Sequence, residues 1–242
     1  MNMNISGSGN IPAGVYERIS ISGSGKLHGI VRCESFSTSG SSSGENIECS
    51  ENFKISGSSH FSGNVSAENI SVSGSFSCGG NIICKEKAVF SGSAKCGEDI
   101  KCDELRISGT FKVGNDVEAE KVKISGVINC EGLINAEDIE IKFDRGMNIG
   151  SIGGSKILIY RENRRKFSDR LPLFSSFIKK VNGNVCVESS IEGDDIAIEA
   201  VTCPRVTGRV VDVGEGCEIE LVQYSDTVEI SPKANVVKIE KV

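Results

Sequence analysis

From Ile19 to Ile141 the apolar residues come in short alternating groups, not in helical stripes. Eight units open at Ile19, Phe36, Phe53, Ile70, Ala88, Leu105, Val122 and Ile139, most of them reading apolar–x–apolar–Ser–Gly. Alternation places the first and third residues on one face of a strand and the second on the other. The second positions (Ser20, Ser37, Lys54, Ser71, Val89, Arg106, Lys123, Glu140) are mostly polar, as an outward row should be. The Ser-Gly glycines stand at Gly7, Gly23, Gly40, Gly57, Gly74, Gly92, Gly109 and Gly126, with spacings of 16, 17, 17, 17, 18, 17 and 17. A fixed period means one structural unit stacked on copies of itself.

Each unit holds two further apolar groups. Four residues past the Gly stand Leu27, Phe61, Cys78, Cys96, Val113 and Cys130, with Gly44 as the departure. A third group follows, for example Val31 and Cys33, Ile82 and Cys84, or Ile134 and Ala136. Three short strands per unit, joined by turns rich in Gly, Asn and Asp, predict a coil with three faces. No 3.6-residue period and an abundance of Gly and β-branched residues argue against helices. The period is too short for a propeller blade or a leucine-rich repeat. The expected fold is therefore all-β: a right-handed, triangular parallel β-helix of about 17 residues per turn, interrupted by a loop. The right-handed form is expected because the recurring hexapeptides of left-handed coils are missing.

The pattern divides the chain into an N-terminal solenoid over 1–160, a connecting segment over 161–184, and 185–242. The last part is read as a continuation of the solenoid or a second small β-domain. Its alternating pairs include Ile196/Ile198, Val211/Val213 and Val228/Ile230. The connecting segment carries Arg161, Arg164, Arg165, Lys166 and Arg170 beside Phe174 and Phe177. Pro172 discourages a long helix there. It is read either as a solvated loop or as a patch that docks on a membrane surface or a partner.

Composition narrows the function classes. Among 242 residues there are 28 Gly, no Trp and only 5% aromatics, which suits close backbone stacking. A net charge of −6 argues against a general nucleic-acid binder, which needs clustered cations. The start MNMNISGSGN has no signal-peptide pattern, and no apolar run approaches the ~20 residues of a membrane span. A cytoplasmic location is expected, with peripheral attachment at the inner face of the membrane as an extension of it.

The ten cysteines share positions with Ala, Leu and Phe in other units and form no C-x-x-C pair, so they read as core thiols. His28 and His60 sit in no catalytic or metal-binding signature, and no nucleophile elbow or phosphate-binding loop occurs. No enzyme activity, cofactor or metal is expected. One register position stands out. Two residues before each unit lie Glu17, Glu34, Glu51, Glu68, Glu86, Asp103, Glu120 and Glu137. Stacked coils would align these carboxylates along one edge. That edge is either a solvated corner, offset by Lys85, Lys87, Lys121 and Lys123, or a site for cations or a basic partner.

The Ile-Ser-Gly units at a 17-residue step, their polar second positions and the tail VGEGCEIELVQYSDTVEISPKANV resemble the bactofilins, polymer-forming bacterial cytoskeletal proteins. The resemblance covers about residues 19–142 by repeat and 185–240 by tail. It implies end-to-end polymerisation without nucleotide, scaffolding at the inner membrane surface, and partners that are other copies of the chain, the membrane or a cell-envelope protein. Independently, an uncapped solenoid end is a template for another chain. The expected polymer interface comprises Ile5, Val15, Ile19 and Ile21 at one end and Val236, Val237, Ile239 and Val242 at the other. The competing readings are an adaptor that uses the acidic edge or basic loop, and a β-helix enzyme acting on sugars or acyl groups.

Overall fold

The structure is a computed structural model, and it describes residues 1–162 and 183–242. Its elements among the described residues are 23 strands, β1 (Met3–Ile5) to β23 (Asn235–Lys241), all in one sheet system with parallel pairing. No helix occurs among the described residues. Strands follow one another around three faces and pair with the equivalent strand of the next coil. Thus β1 pairs with β3 (Gly14–Ile21), and β2 (Ser8–Ile11) pairs with β4 (Ser24–Leu27). The result is a β-solenoid of about 13 coils. At the ~4.8 Å inter-strand spacing the rod is roughly 60 Å long.

The alternation becomes burial directly. In Ala88–Phe90 and Leu105–Ile107 the outer two residues are buried, while Arg106 is exposed and Val89 half-buried. The first face carries the apolar–x–apolar groups, the second carries Leu27, Phe61, Cys78, Cys96 and Val113, and the third carries Cys33, Cys49, Ala67, Cys84 and Ala136. A ladder of rings runs through the centre. Phe36 stacks on Phe53 at 5.2 Å, Phe53 meets Phe76 edge-on at 5.6 Å, and Phe90 stacks on Phe111 at 4.3 Å. Small Cys and Ala side chains on the third face leave the width that these rings fill. At Gly44 the same bargain is visible: a Cβ there would stand 3.0 Å from Leu27 Cβ and 3.1 Å from the Phe61 ring.

Each of the three corners has its own chemistry. Between the first and second faces runs the Ser-Gly column. A Cβ on Gly40, Gly57 or Gly109 would stand 1.9 Å from the carbonyl oxygen of the preceding column glycine. Gly is therefore required by the approach of the neighbouring coil, not by backbone twist. Among the described residues only Gly29, Gly216 and Ala200 have positive φ. Between the second and third faces a side-chain ladder joins successive coils. Asn46 Oδ1 accepts from the Asn64 amide at 2.8 Å, Asn64 from Asn81 at 2.9 Å, Asn81 from Asp99 at 3.1 Å, and Asp116 from Leu133 at 2.7 Å. The third corner is the acidic one.

The coil does not end at the connecting segment. β18 (Met147–Arg161) pairs in register with β20 (Ser190–Ile198), Ile152 opposite Ile191 and Ile159 opposite Ile198. Residues 185–242 thus continue the same stack. Arg161 and Asn184 meet at the Ser-Gly corner, where the Arg161 guanidinium donates to Asn184 Oδ1 at 2.9 Å and to Gly183 O at 3.3 Å. Of the residues proposed for a membrane or partner loop, Arg164, Arg165, Lys166, Arg170, Phe174 and Phe177 lie outside the described residues.

Candidate functional site

The N-terminal end of the rod is one coil further out than the repeat suggests. Ile19 and Ile21 are fully buried, because β1 covers them with Met3 opposite Ile19 and Ile5 opposite Ile21. They are core residues, and Met3 and Ile5, half-buried, form the outermost apolar layer. The sequence marks this coil only by Gly7 and Ile5, because MNI lacks the strong apolar triplet of later units. Tyr16 closes part of the same end, donating its hydroxyl to Pro12 O at 2.9 Å beside the buried Ile11. Val15 is 76% exposed and stands opposite Arg32 in an outward row, so it belongs to the side of the rod and not to the end. The first 16 residues contain no charged side chain.

At the other end, Val236 stands over Ile219 and Ile239 over Val222. Both continue inward columns that are buried one coil earlier, yet Val236 is half-buried and Ile239 is 48% exposed. Val228 and Ile230 complete this open layer. Val237 follows Glu220 in an outward row, so it too faces sideways, and Val242 is exposed beyond β23. The terminal coil carries Glu229, Lys233, Lys238, Glu240 and Lys241. Charge of this kind is how edge strands are commonly protected from unwanted pairing.

The acidic corner is real as a column. Glu51 N donates to Glu34 O at 2.9 Å and Glu68 N to Glu51 O at 3.0 Å, which stacks these residues coil on coil. Seven of the eight side chains are exposed and Glu68 is half-buried. The expected neutralisation by lysines is not what the structure contains. Lys87 pairs with Glu104 at 3.1 Å, Lys123 with Glu140 at 3.3 Å, and Lys121 approaches Asp138 at 3.9 Å. These lysines belong to the first face, where Lys87, Glu104, Lys121, Asp138, Lys156 and Asp195 form a row of alternating sign. Of the eight corner carboxylates, only Glu17 makes an ion pair among the described residues, with the terminal amine at 3.1 Å. Ser35 donates to Glu51 and Asn69 to Glu86, each at 3.1 Å.

Two carboxylates beside this corner are tuned. The Glu104 carboxyl is held below its ordinary pKa by the Arg106 hydrogen bond first and by Lys87 next. Glu140 is lowered mainly by the Tyr160 hydroxyl, which donates to it at 2.9 Å, with Lys123 adding to the effect.

Nine of the ten cysteines are buried and Cys186 is exposed, and none is in a disulfide. Burial pushes the Cys84, Cys130 and Cys203 thiols up to about 11, and Cys217 also upward. Cys78 stands opposite Cys96, as the repeat implies. Both histidines are exposed, and His28 Nε2 lies 3.2 Å from Asn10 Oδ1. Among the described residues no group of three or more His, Cys, Asp or Glu side chains is arranged to hold a metal ion. No helix among them is long and apolar enough to cross a membrane. One open surface cleft is lined by the paired charges Lys121, Lys123, Asp138 and Glu140, and another by Tyr16, Arg32, Cys33, Glu48 and Cys49. Comparison of the chain with protein families, curated proteins and solved structures returns no match.

Proposed function

We propose that this chain is a non-enzymatic structural subunit whose rods stack end to end, first coil on last coil, into filaments or ordered oligomers. The observation that carries the reading is the match between the two ends. Four inward positions of the first coil are Met3, Ile5, Ile11 and Gly14, with Val228, Ile230, Val236 and Ile239 as their counterparts in the last, and a fifth, Tyr16, has Lys241 as its counterpart. Both sets of four are separated by 2, 6 and 3 residues. A second copy laid on the last coil would keep these four columns in register, with Ile239 facing the small Gly14, and would set the Tyr16 ring against Lys241. Before Glu17 the first coil carries no charged side chain that would repel those of the last. Contacts of this head-to-tail kind do not close on themselves and give polar filaments. The likeness of the Ser-Gly units to bactofilins points to the same class of function.

Sedimentation velocity and electron microscopy of the full chain, at on the order of tens of micromolar, test the proposal. Assemblies that disappear in Val236→Asp and Ile239→Asp support it. A monomer at that concentration overturns it.

A second reading follows from the sign of the corners. One outward row alternates in charge, whereas the acidic corner keeps one sign over eight coils. An adaptor that recruits a basic partner along this edge would use that asymmetry. Binding of a polylysine probe that is lost in a Glu51→Gln, Glu68→Gln, Glu86→Gln variant supports this reading. Unchanged binding rejects it.

A further inference from the structure

Cys33 and Cys49 occupy the same inward position of the third face in consecutive coils and stand opposite each other. Their sulfurs are 3.4 Å apart. Opposed residues of neighbouring strands have Cα atoms about 4.8 Å apart, inside the span that a disulfide bridges without backbone movement. The pair also lines an open cleft beside Tyr16, Arg32 and Glu48, and the two residues retain 5% and 7% exposure. A second opposed pair, Cys78 and Cys96, is 1% and 0% exposed, and the Cys84 thiol, stacked toward Cys102 in the next coil, points at Glu68 O at 3.2 Å. Cys78 is also surrounded by carbonyl oxygens, of Gly63 at 3.1 Å and Gly80 at 3.4 Å, and Cys96 has Gly80 O and Asp99 O at 3.3 Å. Carbonyl acceptors hold the proton on a thiol and disfavour the nucleophilic thiolate.

We propose that Cys33 and Cys49 are a redox-responsive pair that a peroxide converts into a disulfide joining the second and third coils. In the first step the Cys33 thiolate attacks one peroxide oxygen. An S–O bond forms, the O–O bond breaks, and the departing hydroxide takes up a proton to leave as water. In the second step the Cys49 sulfur attacks the Cys33 sulfenic acid. The S–S bond forms, the S–O bond breaks, and a second water leaves with the Cys49 proton. The two thiols are oxidised by two electrons and the peroxide is reduced to two waters. The two sulfurs share one contact at 3.4 Å, so the same balance holds with the roles of Cys33 and Cys49 exchanged.

The test uses the full chain carrying Cys186→Ser, which removes the exposed thiol. The protein is exposed to hydrogen peroxide, alkylated, digested without reductant and analysed by mass spectrometry. The expected result is a peptide linked through Cys33 and Cys49, formed at least about tenfold faster than alkylation is lost at Cys78 and Cys96. In Cys49→Ala the reaction stops at the sulfenic acid, and Cys33 becomes labelled by dimedone. That variant is expected to fold, because Ala67 holds the equivalent place one coil on, and its circular dichroism checks this. If both thiols are recovered reduced under peroxide that oxidises Cys186 in the unsubstituted chain, the proposal fails. Failure also follows if Cys78 and Cys96 react as fast.

Discussion

Replacing Gly57 by Ala adds one methyl group at a point where two coils nearly touch. The new Cβ would stand 1.9 Å from Gly40 O, 2.5 Å from Ser39 O and 2.7 Å from Ser39 C. All three obstacles are backbone, so no side chain can rotate away. To restore an ordinary contact the coils must part by about 1 Å or more of their ~4.8 Å spacing. That separation strains the flanking hydrogen bonds, including Ser58 N to Gly40 O at 2.9 Å. Overpacking in a yielding core costs typically 1–3 kcal/mol, and an obstacle of backbone belongs at or above the top of that range, about 3 kcal/mol. Gly7→Ala is the matched control. It sits in the same Ser-Gly context, yet a Cβ there meets nothing within 4 Å. Its expected cost to the isolated rod is about 0.5 kcal/mol or less. Urea denaturation followed by far-ultraviolet circular dichroism measures both. Equal stabilities for the two variants would refute the close-approach explanation of the column.

Other perturbations probe separate parts of the structure. Phe111→Ala removes a fully buried ring stacked on Phe90 and is expected to cost about 3–5 kcal/mol by the same denaturation assay. Asn81→Ala deletes the acceptor for the Asp99 amide and should cost about 1 kcal/mol, with faster hydrogen exchange at Asp99. Glu104→Gln tests pH linkage. The Glu104 carboxyl is lowered in the folded state, so its stabilisation is present above the unfolded carboxylate pKa and is lost as pH falls through the folded one. The variant should therefore be less stable than the parent at neutral pH, and the gap should close on acidification to about pH 3. A gap that persists there would place the effect in packing, not charge.

Much of the fold was legible because burial enforces the register that the sequence repeats. Ile70 and Val72, or Leu105 and Ile107, point inward on either side of an outward residue, and the Ser-Gly column marks one corner of eight coils, from Gly7 to Gly126. The Asn and Asp residues scattered through the turns did not announce themselves as an inter-coil ladder, because each bond links residues 17 or 18 apart. The outermost coil showed in the sequence only through Gly7 and Ile5, for a different reason. Met3 and Ile5 are held by pairing to an already folded neighbour, not by a strong pattern of their own. The ends also misled in detail. Val15 and Val237 are apolar and exposed, yet only the pairing register reveals that they flank the rod instead of terminating it. The acidic column was readable residue by residue, whereas the route its neighbouring lysines take, into the alternating row of the first face, required the three-dimensional register.

The most direct test of end-to-end stacking is Gly7→Ala measured for assembly rather than for stability. In the single rod the space beyond Gly7 is empty. In a stack it would be occupied by the corner of the next copy's last coil, at Ser231 and Pro232, as every later column glycine is occupied by its neighbour. Sedimentation velocity of Gly7→Ala should show a protein as stable as the parent that no longer assembles, or assembles at least about tenfold more weakly. Assembly indistinguishable from the parent would contradict the account.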